Sequence, residues 1–262
     1  MTQTTQTSWH PIDPGVRVAF GQKLRTWYRR NARDLPWRRT RNAYEILVSE
    51  LMLQQTQVSR VEPKYGEFLR RFPTLADVAR AKPARVMEAW EGLGYYARAR
   101  NLHALARQVT DRGRTPDEII PADLAALRAL PGVGAYTAGA VASFAYERRA
   151  ALVDTNVARV LTRVFAPFTN LKTQKGRRVV WTIAEAILPR TGRTTWTHNQ
   201  ALMELGALVC TARIAHCGRC PVRSMCRTAS TLPGGVMRIA RATAHVEAKC
   251  RRRAQCRSPR HE

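Results

Sequence analysis

Negative charge and lysine are both scarce in this chain of 262 residues. Nineteen Asp and Glu stand against 44 Lys and Arg, of which only six are lysine, leaving a formal net charge of +25. Such an imbalance excludes a cationic partner. It favours a polyanion, because each phosphate neutralised releases condensed counterions. A membrane surface, or an arginine bias with no binding role, is the plainer alternative. Long apolar runs are also absent. No stretch of about 18 uninterrupted apolar residues exists, so no membrane-spanning helix is predicted. Met1 to Trp9 is polar and lacks the apolar centre of a signal peptide, so the expected compartment is the cytoplasm. Cysteine is sparse, at six residues, and in a reducing compartment it argues for metal rather than disulfides.

Alternating strand patterns are few as well. Hydrophobic residues make up 45% of the chain and recur at helical spacing instead. The pattern predicts helices over 16–30, 43–57, 62–71, 74–81, 83–91, 97–112, 122–129, 137–147, 156–165, 174–188 and 196–209. Loops with Pro or Gly separate them. The predicted fold class is all-α. Residues 1–15 read as a loose arm. Periodicity fails after Cys226, and 230–262 reads as a flexible basic tail, either tracking an anionic partner or without function.

Four of the cysteines lie together. Cys210, Cys217, Cys220 and Cys226 have the spacing C-x6-C-x2-C-x5-C, packed into 17 residues directly after a helix. Zinc modules more often join two cysteine pairs across a longer loop. The compact run suits a [4Fe–4S] cluster better. Around a fixed loop, Arg213, Arg219, Arg223 and Arg227 would face outward.

Leu130 to Thr137 reads Leu-Pro-Gly-Val-Gly-Ala-Tyr-Thr between two helical segments. Gly132 and Gly134 permit a tight turn and a close approach of another chain's backbone. The following helix N-terminus, with Val133 and Thr137 beside it, favours a phosphate oxygen. A plain helix–helix turn would look similar. The whole segment reads as a helix-hairpin-helix that grips DNA backbone without reading sequence.

Two carboxylates stand in unusual surroundings. Glu50 sits within Glu45-Ile-Leu-Val-Ser-Glu-Leu-Met-Leu53, where burial would raise its pKa and make it a general acid. A Glu on the polar face of a surface helix is the alternative. Asp154 follows an apolar run and precedes Thr155-Asn156, which fits a helix N-cap. It equally fits a fixed negative charge that stabilises an oxocarbenium-like state.

Six segments occur in order: Glu50-Leu-Met-Leu-Gln-Gln-Thr-Gln-Val58, Trp90-Glu-Gly-Leu-Gly-Tyr-Tyr-Ala-Arg98, the hairpin, Val153-Asp-Thr-Asn-Val157, Asn199-Gln-Ala-Leu-Met203 and the cysteine loop. Together, from about Val16 to Cys226, they resemble the MutY family of adenine DNA glycosylases within the endonuclease III superfamily. The resemblance implies two helical lobes with a DNA cleft between them. A six-helix barrel (42–149) would carry the hairpin. An iron–sulfur lobe would join 16–41 to 150–229. It implies that Glu50 protonates adenine, that Asp154 stabilises the sugar cation with Asn156 orienting it, and that Tyr136 lies at the reaction centre. Gln55 and Tyr95 would wedge into the duplex. Arg33, Leu35, Trp37, Arg38, Leu53, Val58 and Gln200 would line the adenine pocket. The target base must leave the stack, since its glycosidic bond is out of reach inside the duplex.

Bifunctional relatives carry a lysine nucleophile where this chain has Tyr136, so little or no strand cleavage is expected. The family continues past the cluster into a Nudix-like domain that recognises 8-oxoguanine, and Thr228 to Glu262 is too short and polar to form one. Thr155 stands where many members have glycine. The expected partner is double-stranded DNA with adenine opposite 8-oxoguanine or guanine, met by a nucleoid-associated monomer. A thymine glycosylase for T·G mispairs and a non-catalytic lesion-binding protein are the competing readings. Gln54-Gln55-Thr56 and Tyr95-Tyr96 oppose the first, and the presence of both carboxylates opposes the second.

Overall fold

The computed structural model describes residues 11–110, 120–229 and 237–238. Eleven α-helices account for most of these residues. They are α1 (Pro14–Asn31), α2 (Ala43–Leu53), α3 (Val58–Arg71), α4 (Leu75–Arg80), α5 (Pro83–Ala89), α6 (Ala97–Thr110), α7 (Leu124–Arg128), α8 (Ala135–Phe144), α9 (Thr155–Phe165), α10 (Gln174–Ala186) and α11 (Gly192–Leu208). The fold is all-α, as the periodicity predicts. No helix among the described residues is long and apolar enough to cross a membrane.

Helix starts follow from capping chemistry. Asp13 accepts from the Val16 amide at 3.0 Å, so α1 begins at Pro14 rather than at 16. Asn42 caps α2 by accepting from Tyr44 and Glu45. Thr74 and Asp77 form a reciprocal capping box at α4.

Two helical groups share one apolar core. In one, α2 packs against α3, α6 and α8, while α4 and α5 pack on α6 and α7 on α8. In the other, the N-terminal α1 lies on α11, α11 on α9 and α9 on α10. Contacts of α11 with α8 join the groups.

The structure differs from the sequence reading in places. The segment read as one helix over 43–57 stops at Leu53, and a turn at 54–57 leads into α3 four residues earlier than expected. Gln55 in that turn has φ 56°, which no helix tolerates. A two-stranded antiparallel ribbon also forms, pairing β1 (Ile214–Ala215) with β2 (Met237–Arg238). Two residues of the segment read as a flexible tail thus form β2. The rest of that tail, with Cys250 and Cys256, and residues 1–10 lie outside the described residues.

Candidate active site and cysteine loop

An open cleft of about 870 Å³ runs between the two helical groups. Its floor is α2. That helix is apolar almost all round, and residues Ile46 to Met52 are buried, Glu50 among them at 3% exposure. A helix so enclosed carries its one carboxylate inside by necessity.

Tyr136, in the first turn of α8, donates its hydroxyl to Glu50 Oε2 at 2.7 Å. Burial is the larger influence on Glu50. It pushes the carboxyl up to about 7, with the Asp154 charge adding to the rise. The Tyr136 hydrogen bond and the Arg38 charge pull the other way. Burial, and then the Glu50 charge, raise the Tyr136 phenol well above its usual range, so the hydroxyl remains a donor.

Asp154 is the N-cap of α9. Its Oδ1 accepts from the Val157 amide at 2.6 Å and its Oδ2 from Asn156 Nδ2 at 3.0 Å. Burial raises its pKa, against these hydrogen bonds and the Arg159 charge. Asn156 is itself held: its Oδ1 accepts from Arg159 Nη2 at 2.7 Å. Arg159 also donates to the carbonyls of Gly206 and Cys210, both at 2.8 Å. Gly206 is required there, because a Cβ would lie 2.7 Å from Asn156 Cβ.

All seven residues expected in the base pocket line the cleft: Arg33, Leu35, Trp37, Arg38, Leu53, Val58 and Gln200. So do Glu50, Tyr136, Asp154, Asn156, Gln55, Gly132, Gly134 and Thr137. Tyr95 lies outside this lining, 61% exposed. Val133 is also outside it. Its side chain is buried and its amide donates to Leu130 O, so its side chain faces the core. Thr137 is buried too, facing Gln54 Nε2 at 3.4 Å. Beyond Tyr136 and Thr137, what the hairpin offers to the cleft is backbone, at Gly132 and Gly134. Gly134 caps α8 with no side-chain acceptor, so the first amides of α8 point outward without an intrahelical partner. Gly132 has φ 75°, and a Cβ there would lie 2.6 Å from Asn101 Cβ.

Glu204 is a cleft residue that the sequence reading missed. It is fully buried and accepts from Arg33 N, Nε and Nη2 and from Arg38 Nη2, at 2.7–2.9 Å. Arg38 Nε also donates to Gln200 Oε1 at 2.9 Å. Burial would raise the Glu204 carboxyl, yet the two arginines hold it at about 2. Its spacing of four from Gln200 on a helix was the available signal.

The four cysteines, all half-buried, line one partly open cavity with Val160, Val164, Val209 and Val222. Arg163 Nη1 lies 3.3 Å from Cys210 Sγ, and Cys226 Sγ donates to Arg163 O at 3.3 Å. Burial pushes the Cys220 thiol up to about 11 and also raises Cys226. Among the described residues no three His, Cys, Asp or Glu side chains converge tightly enough to hold one metal ion. Arg213, Arg219, Arg223 and Arg227 are exposed around the loop, Arg227 donating to Phe165 O.

Residues 48–185 match the model of the HhH-GPD superfamily of base excision DNA repair proteins. The chain is 46% identical over 217 residues to the adenine DNA glycosylase of Mycolicibacterium smegmatis, covering 82% of this chain and 71% of that one. It is 42% identical over 242 residues to the adenine DNA glycosylase of Homo sapiens, covering 86% of this chain and 42% of that one. A solved thermostable thymine-DNA glycosylase superposes with a TM-score of 0.74 at 29% identity, over 83% of this chain and 98% of that one.

Proposed function

Since the chain belongs to the adenine DNA glycosylases of the HhH-GPD superfamily, we propose that it is a monofunctional base excision repair enzyme releasing adenine mispaired with 8-oxoguanine or guanine. The observation that carries this reading is the pairing of a buried acid, Glu50 at about 7, with a second carboxylate, Asp154, in one cleft.

The chemistry follows from that pair. Glu50 gives its proton to a ring nitrogen of the flipped adenine as the C1′–N9 bond breaks and its electrons enter the base. Positive charge develops on the deoxyribose, and ionised Asp154, fixed by Asn156 and the Val157 amide, stabilises it. Water then adds to C1′, returning its proton to Glu50. Tyr136 fixes the Glu50 carboxyl and has no amine with which to form a Schiff base, so the product is an abasic site in an intact strand.

Arg33, Leu35, Trp37, Arg38, Leu53, Val58 and Gln200 form the base pocket in this reading, with Glu204 locking Arg33 and Arg38. Gln55 and Tyr95 enter the duplex where the adenine leaves it. The amides of α8 and the glycines of the hairpin hold a phosphate. The lobes are 42–149 and 16–41 joined to 150–229, and the protein acts as a cytoplasmic, nucleoid-associated monomer.

Cys210, Cys217, Cys220 and Cys226 hold a [4Fe–4S] cluster. Four soft thiol donors within 17 residues, lining one cavity with Val160, Val164, Val209 and Val222, fit such a cube. When bound, the cluster supplies iron–thiolate links that fix the loop. Equal amounts of iron and acid-labile sulfide in the brown purified protein would support it; stoichiometric zinc would refute it.

The test of function is single-turnover excision from duplexes carrying A·8-oxoG, A·G, T·G and A·T, each read with and without alkali. Adenine release from the first two, with strand breaks only after alkali, is expected. Thymine release would instead favour the second reading, to which the likeness to a thymine-DNA glycosylase points. Binding without release would favour a non-catalytic protein.

A further inference from the structure

Arg98 is 6% exposed, yet no carboxylate is among its partners. Its Nη1 donates to the carbonyls of Leu51 and Met52, each at 2.8 Å, and of Gln54 at 2.5 Å. Its Nη2 donates to Leu93 O at 3.0 Å, Gly94 O at 2.9 Å and Thr56 Oγ1 at 3.2 Å. Nε reaches Tyr95 O at 3.4 Å. The first group of acceptors closes α2, where the last carbonyls lack intrahelical donors and form the negative helix pole. Leu93, Gly94 and Tyr95 belong to the Gly92–Tyr95 loop, while Thr56 lies in the turn that follows α2. One guanidinium therefore clasps two chain segments some forty residues apart in sequence.

Each segment contains a strained residue. Gln55 has φ 56° and Tyr95 has φ 48°; among the described non-glycine residues only Glu147 shares this conformation. The left-handed region is unfavourable for an L-residue, whose Cβ crowds a backbone carbonyl oxygen there. Such residues persist only where their surroundings over-determine them. Here the bonded carbonyls flank or belong to both strained residues, and Arg98 Cζ lies 5.5 Å from the centre of the Tyr95 ring, as a cation over its face. Gln55 and Tyr95 are both exposed, so nothing on their outer side holds them.

We propose that Arg98 is the positioning residue for the two side chains that enter the duplex: it fixes Gln55 and Tyr95 together in their left-handed conformations, so that a single clasp sets the wedge. This rests on the reading that those two residues displace the adenine. Arg98 touches no reacting atom in that reading. Its contribution belongs to base extrusion, not to bond cleavage. Lysine cannot replace it, having three donors on a point charge where the site uses a planar fork.

The test is a mutant cycle on the full chain, read by single-turnover excision from an A·G duplex. A second readout is the fluorescence rise of 2-aminopurine placed at the adenine position, which reports unstacking. Arg98→Lys should slow excision by roughly tenfold or more, the equivalent of one or two lost hydrogen bonds, and blunt the fluorescence rise. In a Gln55→Ala/Tyr95→Ala background the same substitution should change either readout by less than about twofold, because the residues it acts through are gone. An equal loss in both backgrounds, or no loss in either, would overturn the proposal. Should Arg98→Lys fail to fold, Thr56→Val removes one acceptor of the clasp, and its smaller loss must vanish in the same background. A wild-type protein that unstacks 2-aminopurine but releases no adenine would refute the adenine reading, while the fluorescence cycle still decides the role of Arg98.

Discussion

Two buried glutamates share one cleft, and their surroundings drive their pKa values in opposite directions. Glu50, on its floor, has one hydrogen-bond partner, the neutral Tyr136 hydroxyl, and burial lifts it from 4.5 to about 7. Glu204, on its wall, is also shut off from solvent, yet Arg33 and Arg38 hold it at about 2. Burial acts in the same direction on both. What separates them is whether a guanidinium can reach the carboxylate. The cleft thus holds a proton donor beside a fixed anion, a separation that acid chemistry at neutral pH requires. The same division governs stability. Glu50, whose folded pKa is raised, favours the fold fully below 4.5 and loses that contribution as pH rises toward 7. Glu204, whose folded pKa is lowered, favours the fold above 4.5 and loses its contribution as pH falls toward 2.

Removing the acid gives the largest expected effect. Glu50→Gln should lower single-turnover adenine release on the order of a thousandfold. The same variant should melt at a higher temperature than wild type above pH 7, by the equivalent of roughly 2–3 kcal/mol, because it deletes a buried charge. A variant that is inactive but no more stable would break the contrast. Asp154→Asn should follow, with a loss of about a hundredfold in release and near-normal affinity for mismatched DNA. Normal release would remove the second carboxylate from the chemistry. Glu204→Gln sharpens the contrast from the other side. It should destabilise the protein by roughly 1.5–3 kcal/mol at neutral pH, with the deficit in denaturant melts shrinking as pH falls below 4.5. A deficit independent of pH would mean that the arginine pair is satisfied without the charge.

The contrast also marks what the sequence could express. Asp154 was legible as a helix cap, and it is one; the carboxylate serves the cap and faces the cleft at once. Glu50 was ambiguous, because a helix apolar all round gives no polar face from which to read its orientation. Glu204 was legible only through its spacing from Gln200. Arg98 was not legible, being one arginine among many, and its carbonyl partners are distant in sequence. For the same reason the break after Leu53 escaped notice: Gln54 to Gln57 holds no Pro or Gly to mark a helix stop, and the guanidinium that binds the last carbonyls of α2 comes from a distant segment. The pairing of β1 with β2 joins two-residue segments over twenty residues apart, too short for any strand pattern. The cysteine loop, by contrast, was legible as a local constellation, and its four cysteines line one cavity.

The most direct test of the account is the pH dependence of single-turnover adenine release by the wild type and by Tyr136→Phe. In the proposed chemistry Glu50 acts in its protonated form, so the wild-type rate should hold at mildly acidic pH and fall as pH rises through about 7. The Tyr136 hydroxyl lowers the Glu50 pKa, so its removal should move that alkaline limb to higher pH. A rate that stays level well above pH 7, or a limb that Tyr136→Phe leaves unmoved or shifts downward, would contradict the assignment of Glu50 as the acid.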